Sequence, residues 1–373
     1  MPILERNSIT YLVIIIVSIT LAFTIRPLLI LLWPGVLLFD DLAYFFFARS
    51  IFDTEIAIQR GYQFGDTFVD NQSGHGRDLG FNLYNGNLSK PMKQAQQDKW
   101  DFMLSKLTLK PGDKLIDIGC GYGDWLNYAR AQGIEVIGVN LSPEQSRFAQ
   151  EQYGLEVIIA NWKDIPKTPD LRDQLYGKFD AVTFMDTIEH YVPSKYRNKH
   201  EQKGKIYTSM FEMAYNLLKD RSESPKVFIS CLHMTNQPRT LNDYFACYLQ
   251  TRFHSGFYPV GDDGLMRWSS DYLEEVERHD KTEDYRLTSV LDPGHFGSPT
   301  INWTKKKIGR VLLLFLLDPH HLHKWLEYKV DAWMWHFGKD AFNKNYDNDY
   351  QKQLRHVTLW WLILQKIPQF HPK

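Results

Sequence analysis

Between Asn7 and Asp40 the chain carries one charged residue, Arg26, and two apolar runs fill that stretch, Ile9 to Ile25 and Leu28 to Phe39. A helix needs roughly 20 apolar residues to cross a bilayer's hydrocarbon core. The first run nearly suffices, and the second does so only by continuing past Pro34 into Leu42 to Phe47. One span, a tight helical hairpin and a cleaved signal peptide are the alternatives. The start carries both Glu5 and Arg6, and the apolar region is longer than a signal peptide's. The pattern therefore predicts a retained membrane anchor over residues 1–50, as one or two apolar helical segments.

From Asp53 to Asp101 the chain turns polar and glycine-bearing, which reads as a loop-and-helix lead-in over residues 51–110 rather than a domain of its own. Within it Ala95, Trp100, Met103, Leu104 and Leu107 repeat at helical spacing, predicting a helix over Met92 to Leu107 that Pro111-Gly112 follows. Strands and helices then alternate. Strands are predicted at Lys114 to Ile118, Glu135 to Val139, Leu155 to Ala160, Phe179 to Phe184 and Val227 to Leu232. Helices fall at Trp125 to Ala131, after the cap Ser142-Pro143-Glu144-Gln145, and along the stripe Ile206, Met210, Met213, Leu217. Such alternation implies an α/β fold, a mostly parallel sheet covered on both faces, over residues 111–373.

Composition changes this picture little. Hydrophobic residues make up 44% of the chain and charged residues 23%, as in a core-forming protein. A net charge of −1 gives no reason to expect nucleic acid as a partner. Cys120, Cys231 and Cys247 form neither a paired framework nor a metal-type spacing. His320, His321 and His323 lack carboxylate or thiol partners at ligand spacing, so no metal is expected. The apolar run Val311 to Leu317 is suited either to touch lipid or to pack in the core.

The sharpest motif is Leu115-Ile116-Asp117-Ile118-Gly119-Cys120-Gly121-Tyr122-Gly123. A strand ends in a turn of alternating glycines that opens a helix, as a backbone approaching a nucleotide requires. The spacing is tighter than the dinucleotide fingerprint, so NAD is the weaker reading. The segment resembles motif I of class I methyltransferases, with their Rossmann-like sheet. Its neighbours resemble the cyclopropane fatty acid synthase family, which includes mycolic acid and sphingolipid methyltransferases. They are Ala95-Gln96 with Lys99, Lys106-Leu107, Leu109-Lys110-Pro111-Gly112, Val136 to Gln145, Ile188-Glu189-His190, Leu232-His233, Gly256-Phe257-Tyr258-Pro259, and His295-Phe296 with Thr300-Ile301 and Trp303. The likeness runs from about Tyr84 to about Leu364.

The resemblance implies S-adenosylmethionine as cofactor, lined by Gly119, Gly121, Gly123, Asn140, Leu141 and Gln145. Trp162 would lie beside its adenine, and Asp117 would support the turn and the ligand's amino acid part. Ordinary packing beneath a loop is the alternative for Trp162. Glu189, after the fourth strand, and His233, after the fifth, are the candidate catalytic residues, placed to meet in one pocket. The family also implies a bicarbonate base ringed by a glutamate, a histidine, a tyrosine and a cysteine backbone. This chain has Phe296 in place of the tyrosine and Asn82 in place of the cysteine. Phenylalanine cannot donate to an anion, which leaves bicarbonate doubtful and makes direct base action by Glu189 or His233 the alternative.

A membrane anchor joined to such a domain suits a lipid substrate at the bilayer, methylated at an unsaturated carbon of an acyl chain or sphingoid base. A methyl branch is the first expectation and a cyclopropane the second. The catalytic domain is expected on the cytosolic side, where the cofactor is made. Two other readings stay open: a small-molecule N-methyltransferase, which needs no anchor, and a non-catalytic membrane scaffold, which needs no intact glycine turn.

Overall fold

The computed structural model describes residues 78, 80–193, 196, 199–220, 225–234, 258–261, 264–291, 305–317 and 357–368, all within a unit that spans Ala57–Lys373. The predicted anchor lies outside the described residues, as do Phe296, Trp303, Cys247 and the three histidines. Among the described residues no helix is long and apolar enough to cross a membrane.

Seven strands form one sheet: β1 (Lys114–Ile118), β2 (Glu135–Asn140), β3 (Glu156–Ile159), β4 (Ala181–Met185), β5 (Lys226–Met234), β6 (Leu273–Asp280) and β7 (Val357–Lys366). Their order is β3-β2-β1-β4-β5-β7-β6. β1 to β5 pair in parallel, and only β7 runs antiparallel, between β5 and β6. The described helices are α1 (Met92–Leu107), α2 (Asp124–Ala131), α3 (Pro143–Tyr153), α4 (Pro169–Leu175), α5 (His200–Leu217), α6 (Thr282–Leu291) and α7 (Lys305–Leu317).

From β1 the chain winds outward through α2 to β2 and through α3 to β3, then returns to lay β4 along the other side of β1. The order reverses there, and the crevice beyond the carboxyl ends of β1 and β4 is where an open α/β sheet binds ligands. The buried residues of β1, Leu115 to Ile118, read as a continuous apolar strand broken only by Asp117, as a strand covered on both faces should. α3 begins as predicted, with the Ser142 hydroxyl accepting from Gln145 N–H and Pro143 in the first turn.

Three pieces outside this winding close the crevice's flank. α1 buries Ala95, Gln96, Lys99, Trp100, Met103 and Leu107, and its Phe102 ring meets Phe228 of β5 and Trp361 of β7. The preceding strap, Phe81 to Tyr84, is buried. It is sewn to α6: Thr288 Oγ1 accepts from Asn82 N–H at 2.9 Å, and Asp284 Oδ1 accepts from the N–H groups of Tyr84 and Asn85 at 2.7 Å each. The described residues of the lead-in, from Gly80 to Lys110, are thereby packed into the same body as the sheet.

Candidate active site at the carboxyl ends of β1, β4 and β5

Gly119 and Gly121 follow β1 with φ of +90° and +53°, backbone that other residues adopt only under strain. Their surroundings differ. A carbon on Gly119 would lie 2.3 Å from Thr187 Cγ2 in the loop after β4, whereas one on Gly121 would meet nothing within 4 Å. The first glycine lets the β4 loop close against β1. The second leaves the turn open toward free room. Gly123 ends the turn as the N-cap of α2.

Asn140, at the end of β2, ties this turn to α3. Its Nδ2 is shared among Gly121 O at 3.3 Å, Ser142 O at 3.4 Å and Gln145 Oε1 at 3.3 Å. Gln145 Nε2 is buried with no hydrogen-bond partner, although a buried donor left unmatched costs about 1–3 kcal/mol. Leu141 between them is half-buried. Trp162, in a single turn after β3, is buried and stacks on Tyr191, their centroids 4.7 Å apart. The indole therefore joins the loop after β3 to the loop after β4.

Carboxylates gather on the β4 side. Thr183 Oγ1 donates to Asp117 Oδ1 at 2.7 Å and accepts from Trp125 Nε1 at 3.3 Å. Burial pushes Asp117 up to about 7; the Thr183 bond opposes that rise, and the charges of Asp78 and Asp186 add to it. Asp186 follows β4 in a left-handed conformation, φ +52°. The Ser230 hydroxyl donates to its Oδ1 and itself accepts from Trp361 Nε1 at 3.1 Å. Burial lifts Asp186 to about 6, against the Ser230 bond and the Lys99 charge. Its Oδ2 is buried and unpartnered. Lys99 pairs with Asp78, and a carbon on Gly80 would lie 3.1–3.2 Å from Asp78 Oδ1, Asp186 Oδ2 and Lys99 Nζ alike. Three charged groups, from just before the strap, from α1 and from the β4 loop, thus converge on one point.

Glu189 completes the cluster. Its Oε1 accepts from Leu232 N–H at 2.6 Å, and its Oε2 is buried without a partner. Burial first and the Asp186 charge second push it up to about 8. His233 departs from its expected place. β5 extends through Met234, because β7 pairs with it along the whole length from Lys226 to Met234, so His233 lies within the strand and not after it. Its ring is fully enclosed, with Nδ1 3.2 Å from Cys231 O. A carbonyl only accepts, so Nδ1 carries the proton and Nε2 is left as an unpartnered acceptor. Burial lowers this imidazole to about 4, which makes it a weak proton acceptor at neutral pH. Glu189 and His233 hold separate partners on consecutive residues of β5. Cys120 and Cys231 are buried thiols whose burial raises them well above their ordinary range, and neither is an activated nucleophile.

Sequence reasoning passed over Asp78 and Asp186, and it met Lys99 only as part of the family likeness ahead of the glycine motif, with no role given to it. Asp78 comes from a segment with no motif. Asp186 stood next to the recognised Ile188-Glu189-His190, and an acid directly after a buried strand was its available signal. Among the described residues no three His, Cys, Asp or Glu side chains could hold a metal ion.

The raised carboxyls set a pH dependence. Asp117, Asp186 and Glu189 titrate near 7, 6 and 8 when folded and near 4 when unfolded. The folded chain therefore holds more protons between these limits, and its stability falls as pH rises through that window. The lowered His233 acts oppositely, losing stability as pH falls from about 6.5 toward about 4. Of these four groups, only the carboxyls act between about pH 6.5 and 8. Thermal unfolding of the ligand-free protein is expected to shift to lower temperature across that interval, and the shift is expected to shrink in Asp186→Asn. A flat or rising midpoint from pH 6.5 to 8 would show that the cluster is not buried as described.

The profile of the family described as mycolic acid cyclopropane synthetase matches residues 53–245, more than half the chain. The "Probable fatty acid methyltransferase" of Mycobacterium tuberculosis is 37% identical over 107 residues, 28% of this chain and 24% of that protein. The sphingolipid C9-methyltransferase of Candida albicans is 30% identical over 108 residues, 26% of this chain and 20% of that protein. The matches thus span about a quarter of the length of these curated relatives. A mycolic acid cyclopropane synthase solved in complex with SAH and CTAB superposes with a TM-score of 0.57 at 15% identity, over 84% of this chain and 98% of that one. That likeness establishes the class I methyltransferase fold. Fold and profile agree, and the protein belongs to the mycolic acid cyclopropane synthetase family.

Proposed function

We propose that the chain is a membrane-associated S-adenosylmethionine-dependent methyltransferase that methylates an unsaturated carbon of a lipid acyl chain or sphingoid base. The observation that carries this reading is the buried cluster of Asp117, Asp186 and Glu189 at the carboxyl ends of the paired strands β1 and β4, where the open glycine turn at Gly121 also leaves β1. Carboxyls held above their ordinary range by burial and mutual repulsion are stabilised as anions by a ligand that brings positive charge. The cofactor carries two such charges, a sulfonium and an ammonium.

The residues present fit that group. Asp117 and Asp186 would hold its charges, the glycine turn would admit its close approach, and the unmatched Gln145 Nε2 would gain an acceptor. Trp162 would offer an indole face to the purine. When bound, the cofactor supplies an electrophilic methyl group. The chain's own work is to align the acceptor carbon, exclude water and take up a proton. A methyl added to an alkene leaves positive charge on the acyl chain, and loss of one proton discharges it as a branch or a ring. Glu189 would accept that proton at Oε2, the oxygen not engaged by Leu232 N–H.

The lipid substrate is supported by relatives named for fatty acid and sphingolipid methylation. The apolar runs before Asp40 favour a membrane setting, with the catalytic domain on the cytosolic side. The test is incubation of the detergent-solubilised full chain with methyl-labelled cofactor, a membrane lipid extract and a water-soluble metabolite extract. Label is expected in the organic phase, on a lipid heavier by one methyl unit. Label confined to the aqueous extract would replace the lipid reading with that of a small-molecule N-methyltransferase. Cofactor binding with no label in either extract would overturn the proposed reaction.

A further inference from the structure

α7 has the sequence KKKIGRVLLLFLL, and its described apolar side chains stand in solvent. Ile308 is 44% exposed, Leu312 56%, Leu313 54% and Leu316 83%. Ile308, Leu312 and Leu316 recur every four residues and so share one stripe, with Leu313 beside it. A scattered exposed leucine needs no explanation, but a continuous stripe of four large apolar groups does. Lys305 and Arg310 are also exposed. From Thr304 to Leu317 the chain carries four basic residues and no acidic one.

Length and charge decide what such a helix meets. Thirteen residues span about 20 Å at ~1.5 Å each, short of the roughly 30 Å needed to cross a bilayer. A second copy of α7 would bring like charge against like if packed in parallel, and if packed antiparallel would lay each basic end on the other's leucines. An anionic bilayer surface satisfies both parts: acyl chains take the leucines, and lipid phosphates take the lysine and arginine.

We propose that α7 docks on an anionic bilayer surface, with Ile308, Leu312, Leu313 and Leu316 entering the headgroup–acyl boundary and Lys305 and Arg310 remaining among the headgroups. The choice of occupant rests on the lipid-substrate reading above. The docking gives the catalytic unit a second hold on the membrane, independent of the apolar N-terminal runs, and fixes which side of it meets the lipid.

The test places an environment-sensitive fluorophore on Leu316→Cys in the full chain with Cys247→Ser, the remaining cysteines being buried. The protein is reconstituted with phosphatidylcholine vesicles, with and without phosphatidylglycerol. A blue shift and quenching by bilayer-embedded quencher lipids are expected at position 316, stronger on the anionic vesicles and weakened by Lys305→Glu with Arg310→Glu. A fluorophore at the exposed Gln132→Cys is expected to report water throughout. An aqueous signal from position 316 on both vesicle types would overturn the proposal. So would a blue shift that grows with protein concentration in the absence of vesicles, which would assign the stripe to a second copy. The readout needs no turnover, so absent methyl transfer overturns the reaction without touching it, while an aqueous signal in a lipid-methylating enzyme overturns only the docking. In an active enzyme, Leu312→Glu with Leu316→Glu is expected to lower turnover of vesicle lipid at least tenfold and to leave turnover of detergent-dispersed lipid within twofold.

Discussion

Glu189→Gln is expected to lower kcat by about a thousandfold and to leave cofactor affinity within a few-fold of the parent. The size follows from the ~10²–10⁴-fold that a positioned general base contributes. The sparing of affinity follows from the protonation state. With its carboxyl pushed up to about 8, Glu189 is mostly neutral in the free protein at pH 7, and a glutamine reproduces that neutral form. Its amide oxygen can still accept from Leu232 N–H, the bond Glu189 makes at 2.6 Å, so the β4 loop keeps its tether to β5. Asp117 and Asp186 remain to meet the cofactor's charge. The parent's kcat/KM, which reports the free enzyme, is expected to rise with pH toward a limb near 8. The limb in kcat is expected at lower pH, because a bound cation lowers a neighbouring carboxyl. Both limbs are expected to vanish in Glu189→Gln. Turnover within tenfold of the parent, or loss of cofactor binding, would remove Glu189 from proton chemistry. His233→Asn is the companion measurement: an imidazole lowered to about 4 contributes little as a base, and the pH limb is expected to survive its loss.

The parts of this site that could be read from sequence are those written within one short stretch of chain. Asp117 and the three glycines lie in nine consecutive residues, and Asn140 to Gln145 form a strand end followed by a capped helix, so local spacing alone announces them. The first five strands were legible for the same reason, each an apolar run closed by a glycine or a polar turn. β6 and β7 were not. β7 (VTLWWLILQK) lies between two strands and is apolar on both faces, so it lacks the alternation that marks a half-exposed strand. β6 (LEEVERHD) carries charge through most of its length, as an edge strand does. Their pairing brings Leu273 against Lys366, a closure that no local pattern encodes. The length of β5, and so the placing of His233 inside it, depends on β7 and was hidden with it. Asp78 and Asp186, and the role of Lys99, were hidden differently: each is an ordinary polar residue on its own segment, and only the folding of α1 and the segment before it over the β4 loop makes them one electrostatic unit.

Gly121→Arg is expected to abolish cofactor binding, by at least a hundredfold in Kd, while the protein stays folded. A carbon at this position meets no atom within 4 Å, so the added side chain enters the room over the turn and not the core. Its charge adds a second obstacle, since a guanidinium entering that room competes for the role assigned to the cofactor's cations. The remaining cost is backbone strain at φ +53°, about 1–2 kcal/mol for a residue other than glycine. Gly121→Ala carries the same strain without filling the room, and it is expected to lose little affinity. Gly119→Ala separates the two roles from the other side. Its methyl would sit 2.3 Å from Thr187 Cγ2 at φ +90°, so overpacking of about 1–3 kcal/mol adds to the strain. Its unfolding midpoint is therefore expected to fall further than that of either Gly121 variant. Titration of labelled cofactor together with thermal unfolding of all three variants checks the set. If Gly121→Arg bound cofactor like the parent, the ligand could not lie over this turn. If Gly121→Ala lost binding as fully as Gly121→Arg, the glycine would serve the backbone of the turn and not the space above it.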